Sequence, residues 1–310
     1  MRGLFLALVA STSVYAYKNA YLDERELVNI VNYNINSKWR AEKSTYFANH
    51  TIAQVSAMLK TSVSEFAPHI ETDNQNNFDH QPLPTTFDAR KQWPGCVHNV
   101  RNQEQCGSCW AFGASEVLSD RFCIAGVDRG NFSPQNLVSC DKKCYGCNGG
   151  TLPGAWNYLR DTGIVSDKCQ PYVSGNGKTG HCSHKCSDGS EPHYFKAKDS
   201  YPVVGYLDVL LGQAPSKIKA EVYKNGPVEV AFIVFQDFMS YKGGVYHHVT
   251  GPNVGGHAVK LIGWTENAWI IQNSWGPDWG EEGTFRIRMG TNECGIETNV
   301  YAGRPDMTSV

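Results

Sequence analysis

The sequence predicts an α+β protein in which a helical half precedes a β half, with room for a cleft between them. Three observations predict it. Residues 109–123 place Ala111, Leu118 and Phe122 on one helical face, with Ala114 and Ser115 letting neighbours approach closely. Residues 214–225 read as a further helix, and strand-like runs follow at 228–235, 258–262, 269–273 and 284–288. Residues 130–200 are rich in Gly, Cys and Ser, so they read as loops stapled by disulfides.

The chain has 310 residues, enough for one sizeable domain or two modest ones. Hydrophobic residues are 41% and charged residues 19%, which excludes a disordered chain. A net charge of -2 argues against nucleic acid or an anionic membrane as partner. The 11 cysteines point to an oxidising compartment, and their odd number leaves at least one unpaired. Arg2, the apolar run from Leu4 to Val9, and Val14-Tyr15-Ala16 read as a signal peptide over residues 1–16, cleaved before Tyr17. That run is shorter than the roughly 20 residues a bilayer span needs, so no membrane span is expected after cleavage.

Cysteine is absent from residue 17 to about residue 80. Two small apolar stripes, Leu27-Ile30-Val31-Ile35 and Ile52-Val55-Met58-Leu59, recur there at helical spacing. Neither makes a core alone, so this segment packs on something else. Trp39 and the sequon Asn49-His50-Thr51, a candidate glycosylation site, lie between them. Residues 71–82 are polar and turn-forming, an exposed linker open to proteolysis, and a cysteine-rich domain begins near Leu83.

Cys109 opens the predicted helix of residues 109–123, where unpaired N–H groups and the positive dipole end favour a thiolate. Cys106 and Cys109 admit three readings: a redox dithiol, a structural disulfide, or a nucleophilic Cys109 with Cys106 bridged elsewhere. No strand precedes the pair as a thioredoxin-like unit would require. A nucleophilic thiol needs a base, and His257 opens a strand after Gly255-Gly256. A hairpin folded about Thr265 sets His257 opposite Asn273, with Cβ atoms about 4.5–5.5 Å apart. Asn273 then holds one imidazole nitrogen and leaves the other for the thiol, a nucleophile–base–orienter set.

The stretch from Gln103 to Phe112 resembles the active-site segment of papain-like cysteine proteases. His257 and Asn273 follow Cys109 by 148 and 164 residues, the second slightly beyond the family's usual range. Asn273-Ser274-Trp275-Gly276, Gly146-Cys147-Asn148-Gly149-Gly150 and Leu83-Pro84-Thr85-Thr86-Phe87-Asp88-Ala89-Arg90 resemble the family too. Residues 88–96, 224–229 and 244–251, the run Cys294-Gly295-Ile296-Glu297, and the short leader with Trp39 are similar to the cathepsin B branch.

The resemblance implies a papain-like fold of two subdomains, a helical half with a central active-site helix and a β-barrel-like half. It implies an inhibitory propeptide over residues 17–82, a peptidase domain over residues 83–310, and travel through the secretory pathway to a lysosome, a vacuole or the outside. Protein and peptide substrates are implied as partners, with the propeptide as inhibitor and no cofactor. Cys109 is implied as nucleophile, His257 as general base and then acid, Asn273 as its orienter, and Gln103 with the Cys109 N–H as oxyanion donors. Trp275 would shield the His257–Asn273 bond, and Gly149 and Gly150 would pair with substrate backbone. Disulfides Cys96–Cys123, Cys106–Cys147 and Cys169–Cys186 are implied; Cys140 is left with Cys182 or Cys144, and Cys294 stays reduced. A zinc site from Cys144, Cys147, Cys182 and Cys186 is set aside, because secretion and the family's pairing favour disulfides. Activation in acid is implied, with protonated carboxylates loosening the propeptide.

Two departures bear on function. The stretch Cys169 to Cys186 is too short for the occluding loop of cathepsin B, and His181 and His184 are not adjacent. An open cleft with mainly endopeptidase action, and weak or absent dipeptidyl-carboxypeptidase action, is therefore expected. Asn299 stands where relatives place a glutamate in the second specificity subsite, which predicts weaker acceptance of Arg. A catalytically silent papain-fold binding protein is the alternative; such relatives usually lose the nucleophile, which is present here. Insulin reduction needing Cys106 would instead mark a disulfide oxidoreductase.

Overall fold

The computed structural model describes residues 24–64 and 82–310. The expected signal peptide and nearly all of the linker lie outside the described residues. The first part forms helix α1 (Glu24–Tyr33), strand β1 (Trp39–Ala41) and helix α2 (Ile52–Met58). The second opens with β2 (Phe87–Asp88), the single turn α3 (Ala89–Gln92) and the long helix α4 (Cys109–Ile124). Helices α5 (Pro134–Cys140) and α6 (Leu152–Asp161) follow, then β3 (Tyr201–Pro202), α7 (Tyr206–Leu210) and α8 (Ala214–Asn225). Strands β4 (Val228–Phe235), β5 (Tyr241–Tyr246), β6 (Asn253–Trp264), β7 (Ala268–Gln272), β8 (Thr284–Arg288) and β9 (Asn299–Ala302) complete the chain. The sheet order is β1-β5-β8-β7-β6-β4-β9-β3, with β2 paired to β6. The expected α+β division into a helical half and a β half is what the chain adopts.

Helix α4 packs on α5 and α6 on one side and on β6 on the other. Every residue from Cys109 to Phe122 is buried, so it has no polar face. The loop reading of residues 130–200 is corrected by α5 and α6. Each starts at a capping hydroxyl, Ser133 on the Asn136 N–H and Thr151 on the Gly154 N–H, with proline in the first turn. The high Gly and Cys content outweighed those start signals in the sequence reading.

Four disulfides join Cys96–Cys123, Cys106–Cys147, Cys140–Cys182 and Cys169–Cys186. Cys106 is thus bridged to Cys147, which removes both the redox dithiol and the Cys106–Cys109 disulfide. Cys140 takes Cys182, and three of the four candidate zinc ligands are spent in bridges. Cys109, Cys144 and Cys294 are free; burial pushes the Cys144 thiol up to about 12, which makes it unreactive.

The N-terminal part packs on the β half. Strand β1 extends the sheet antiparallel to β5, Trp39 opposite Gly244. The Trp39 indole lies 5.9 Å from the Tyr241 ring and 5.1 Å from Tyr246, and its N–H donates to the His247 carbonyl at 2.9 Å. Of the first apolar stripe only Leu27 and Val31 are buried; Ile30 is exposed on α1, and Ile35 is exposed because α1 stops before it. The second stripe is buried throughout, and Thr51 caps α2 in a reciprocal pair with Gln54. Asn49 of the sequon is exposed just before it.

A buried ion cluster ties α4 to β6. Lys260 Nζ lies 2.7 Å from Asp120 and 3.6 Å from Glu116, and His98 Nδ1 reaches the other Asp120 oxygen at 2.7 Å. Burial holds the Glu116 carboxyl above its usual range, while Asp120 raises His98 above its own. Lys260→Met is expected to lower stability by about 3–5 kcal/mol, because it removes the cation beside buried Glu116 and leaves Asp120 with His98 alone. Urea unfolding of the full chain measures this, and a loss under about 1 kcal/mol would contradict the assignment.

Candidate active site

Cys109 is the first residue of α4 and is fully buried. Its sulfur is 3.0 Å from the Thr61 hydroxyl and 3.9 Å from the Met58 carbonyl, both on the N-terminal part. Gln103 is also fully buried. Its amide oxygen accepts from the Ser274 hydroxyl at 2.8 Å, which turns the amide nitrogen toward the cleft. That nitrogen donates to the Met58 carbonyl at 3.0 Å and to the Cys106 carbonyl at 2.9 Å.

His257 Nε2 meets Asn273 Oδ1 at 2.7 Å, and the Trp275 ring stacks on the imidazole at 4.7 Å. The contact is the expected one, but the register is not. Strand β6 pairs Lys260 with Gln272 and Leu261 with Ile271, and a bulge interrupts the ladder before Gly263. Continued outward, that register sets Asn273 across from Val259. His257 and Asn273 are therefore diagonal neighbours on one face, which long side chains bridge. The turn centres between Glu266 and Asn267, with Trp264 paired to Trp269, rather than on Thr265, and the one-residue bulge offsets that only in part. His257 Nδ1 is buried without a hydrogen bond among the described residues. Burial, only partly offset by the Asn273 bond, pushes the imidazole down to about 4.

Residues 60–64 run along the cleft. Thr61 N–H donates to the Gly256 carbonyl at 3.1 Å, and Ser62 N–H to the Gly150 carbonyl at 3.0 Å. Gly149, at φ +115°, brings its backbone against the Lys60 carbonyl where a side chain would overlap it. Asn299 exchanges two 3.0 Å hydrogen bonds with the Ser64 backbone, its Oδ1 accepting from the Ser64 N–H and its Nδ2 donating to the Ser64 carbonyl. The structure thus brings Cys109, His257, Asn273, Gln103, Gly149, Gly150, Trp275 and Asn299 to one cleft. His181 and His184 are exposed on their loop. Sequence reasoning missed Met58, Thr61 and Ser64 as cleft occupants and Ser274 as the residue orienting Gln103. The first three carry no local signal; Ser274, inside Asn273-Ser274-Trp275-Gly276, does.

Residues 83–304 match the papain family cysteine protease profile. The chain belongs to the papain family of cysteine proteases. Within this family it is similar to "Cathepsin B-like CP2" of Giardia intestinalis, at 41% identity over 87% of this chain and 90% of that one. It is 39% identical to "Cathepsin B-like protease 1" of Arabidopsis thaliana, over 93% of this chain and 85% of the relative. These likenesses place it on the cathepsin B-like branch. Among solved structures it is similar to procathepsin B S9 from Trypanosoma congolense, with TM-score 0.83 and 31% identity over 93% of this chain and all of that one. Procathepsin L 3 of Tenebrio molitor shares the fold, with TM-score 0.71 over 91% of this chain and 89% of its own. Both are precursor forms, and the matches are long enough to take in the N-terminal part. A papain-family propeptide that covers the active site accounts for the path of residues 58–64.

Thr61→Val keeps the shape of that segment but removes the hydroxyl on Cys109. Alkylation of Cys109 in the uncleaved chain is expected to quicken roughly fivefold, the equivalent of one hydrogen bond. An unchanged iodoacetamide rate would show that the hydroxyl does not guard the sulfur.

Proposed function

We propose that the chain is the secreted zymogen of a cysteine endopeptidase, with residues 1–16 a signal peptide, 17–82 the inhibitory propeptide and 83–310 the peptidase. The observation that carries this reading is the Met58 carbonyl on the Gln103 amide beside the Cys109 sulfur. A substrate carbonyl bound the same way would meet nucleophile and donor together. Cys109 then attacks its carbon, His257 takes the thiol proton, and negative charge gathers on the oxygen held by Gln103 and the Cys109 N–H. His257 returns the proton to the leaving amine, forming a thioester and a free amine. Water, activated by the same imidazole, releases the acid and restores the thiol. Asn273 keeps the ring aimed, and Trp275 keeps water from their bond. Thr61 blocks this sequence by setting a hydroxyl, which has no carbonyl carbon for the thiol to attack, against the sulfur.

The short Cys169–Cys186 loop supports endopeptidase over dipeptidyl-carboxypeptidase action, since its two histidines are separate and exposed. Half-buried, uncharged Asn299 supports weak acceptance of Arg in the second subsite. The route is the secretory pathway, ending in an acidic organelle or outside the cell.

Acid favours propeptide release through His257 rather than through the buried carboxylate in the contact. Covered, the imidazole is pushed down to about 4 by burial. Losing the propeptide lightens that burial, so the released form takes up a proton that the covered form refuses. Release is therefore favoured by up to about 1.4 kcal/mol per unit of acidification. Glu24 works in the opposite sense: burial raises its pKa while docked, so acid does not loosen the contact through it.

Two outcomes check this reading. Labelling of the full chain by a thiol-directed epoxide should rise as pH falls from 6.5 toward 4 and vanish in Cys109→Ser; labelling that ignores pH would sink the gate. Gln103→Ala should lower kcat/KM of the processed enzyme by about 10²–10³ on a peptide substrate. A loss under tenfold would remove Gln103 from the oxyanion site, and intact activity in Cys109→Ser would end the assignment.

A further inference from the structure

The cleft carries a carboxylate that the reaction above does not use. Glu104 follows Gln103 directly and is exposed, yet its backbone lies in the left-handed region at φ +52°, where residues other than glycine are uncommon. Its surroundings hold it there. Its N–H donates to Asn102 Oδ1 at 2.9 Å, the Gln103 carbonyl accepts from the Tyr172 hydroxyl at 2.8 Å, and the Gln105 N–H donates to the Gly175 carbonyl at 2.9 Å. The side chain lies against Gly175, where a Cβ would overlap its carboxylate. Backbone strain kept at such a position signals a use for the side chain it presents.

Glu104 makes no ion pair among the described residues. Arg101, three positions back, is committed to Asp167 at 2.7 Å. What stands near the carboxylate is Tyr46 of the N-terminal part. Its hydroxyl donates to Asn102 Oδ1 at 2.8 Å, its ring stacks on Trp275 at 6.4 Å, and Glu104 helps raise its pKa, after burial. Removing the propeptide takes Tyr46 away and leaves the exposed carboxylate beside an open cleft.

The order of contacts tells which half of a substrate would meet it. From Tyr46 through Met58 and Thr61 to Ser64, the segment passes Asn102 and Trp275, then Gln103, then Cys109, then Gly150 and Asn299. The second specificity subsite assigned to Asn299 takes a substrate residue on the acyl side of the scissile bond, and Gly150, held to the neighbouring Ser62, marks the same side. Glu104 therefore lies on the leaving-group side, where the first residues past the scissile bond would pass.

We propose that Glu104 is a specificity-determining residue of the leaving-group side: it favours substrates with Lys or Arg just after the scissile bond and repels a free C-terminal carboxylate there. This rests on the protease reading and deepens it, because the same charge opposes removal of C-terminal dipeptides. An exposed charge pair of this kind shifts kcat/KM about two- to fivefold and weakens with salt.

The test uses the full chain, acid-processed and active-site titrated, on internally quenched peptides with one acyl half and an amidated end. Lys, Gln or Glu is placed at the first or the second position after the scissile bond, and one peptide ends in a free carboxylate. At pH 6 and low salt the Lys-to-Glu ratio of kcat/KM should be about two to five at one of the two positions. It should fall toward one in 0.5 M salt and in Glu104→Gln, and the free-carboxylate peptide should gain on its amide in that variant. Glu104→Gly, which suits the left-handed backbone, should lose the preference too and guards against misfolding of the first variant. Each ratio is internal to one enzyme, so a general loss of activity does not imitate the effect. A ratio near one in the wild type, or one that both variants keep, overturns the inference while leaving the protease reading intact. No cleavage of any peptide by the wild type overturns both.

Discussion

Helix α4 has no side that faces water, and the rest of the molecule is arranged to make that tolerable. Its apolar residues fill the space between α5, α6 and the sheet, while Glu116 and Asp120 find their counter-charge in Lys260. Buried charges of this kind add little net stability, but losing one partner is costly, so they pin the helix to β6 in one register. The position of Cys109 follows, because it heads the helix at the seam between the two halves. His257 lies three residues before Lys260 on the same strand. The strand that anchors the helix by its cation thus also carries the imidazole, and sulfur and ring are placed by one contact surface rather than by two loops.

The N-terminal part exploits this rigidity. It touches Gln103, Cys109, Gly150, Gly256 and Asn299 in turn, mostly by backbone groups, and so uses donors and acceptors that any extended peptide would use. Its own anchor lies elsewhere: Trp39 is wedged beside Tyr241 and Tyr246, and β1 is hydrogen-bonded to β5. Holding by a side chain at one end leaves the cleft contacts free to be weak and generic, which suits the release proposed above.

Much of this was legible in the sequence, and the rest was hidden for identifiable reasons. The helix at residues 214–225 and the strands at residues 228–235 and 284–288 have the bounds expected, because period and breakers agree there. The His257–Asn273 contact was legible as a hairpin, but the turn centres past Thr265 and a one-residue bulge offsets this only in part, leaving the pairing two residues from the expected one. Helices α5 and α6 were hidden by composition, although Ser133-Pro134 and Thr151-Leu152-Pro153 carried their start signals. Lys260 was overlooked inside an apolar run, where a lone cation is itself a sign of a buried partner. Glu104 was out of reach, since nothing in a glutamate foretells a left-handed backbone. The disulfides followed from the resemblance, and spacing alone would not have chosen among them.

Strand β5 lies between β8 and β1, so losing the N-terminal part turns it into the border of the sheet. A bare border invites other chains to add themselves, the first step toward insoluble fibres. Here the border is short and reads Tyr241-Lys242-Gly243-Gly244-Val245-Tyr246, with a cation outward and a left-handed kink at Gly244. A bent, charged ribbon is a poor template for a stranger. The unmasked molecule is thereby equipped to stay dispersed at the moment its protective flank is discarded.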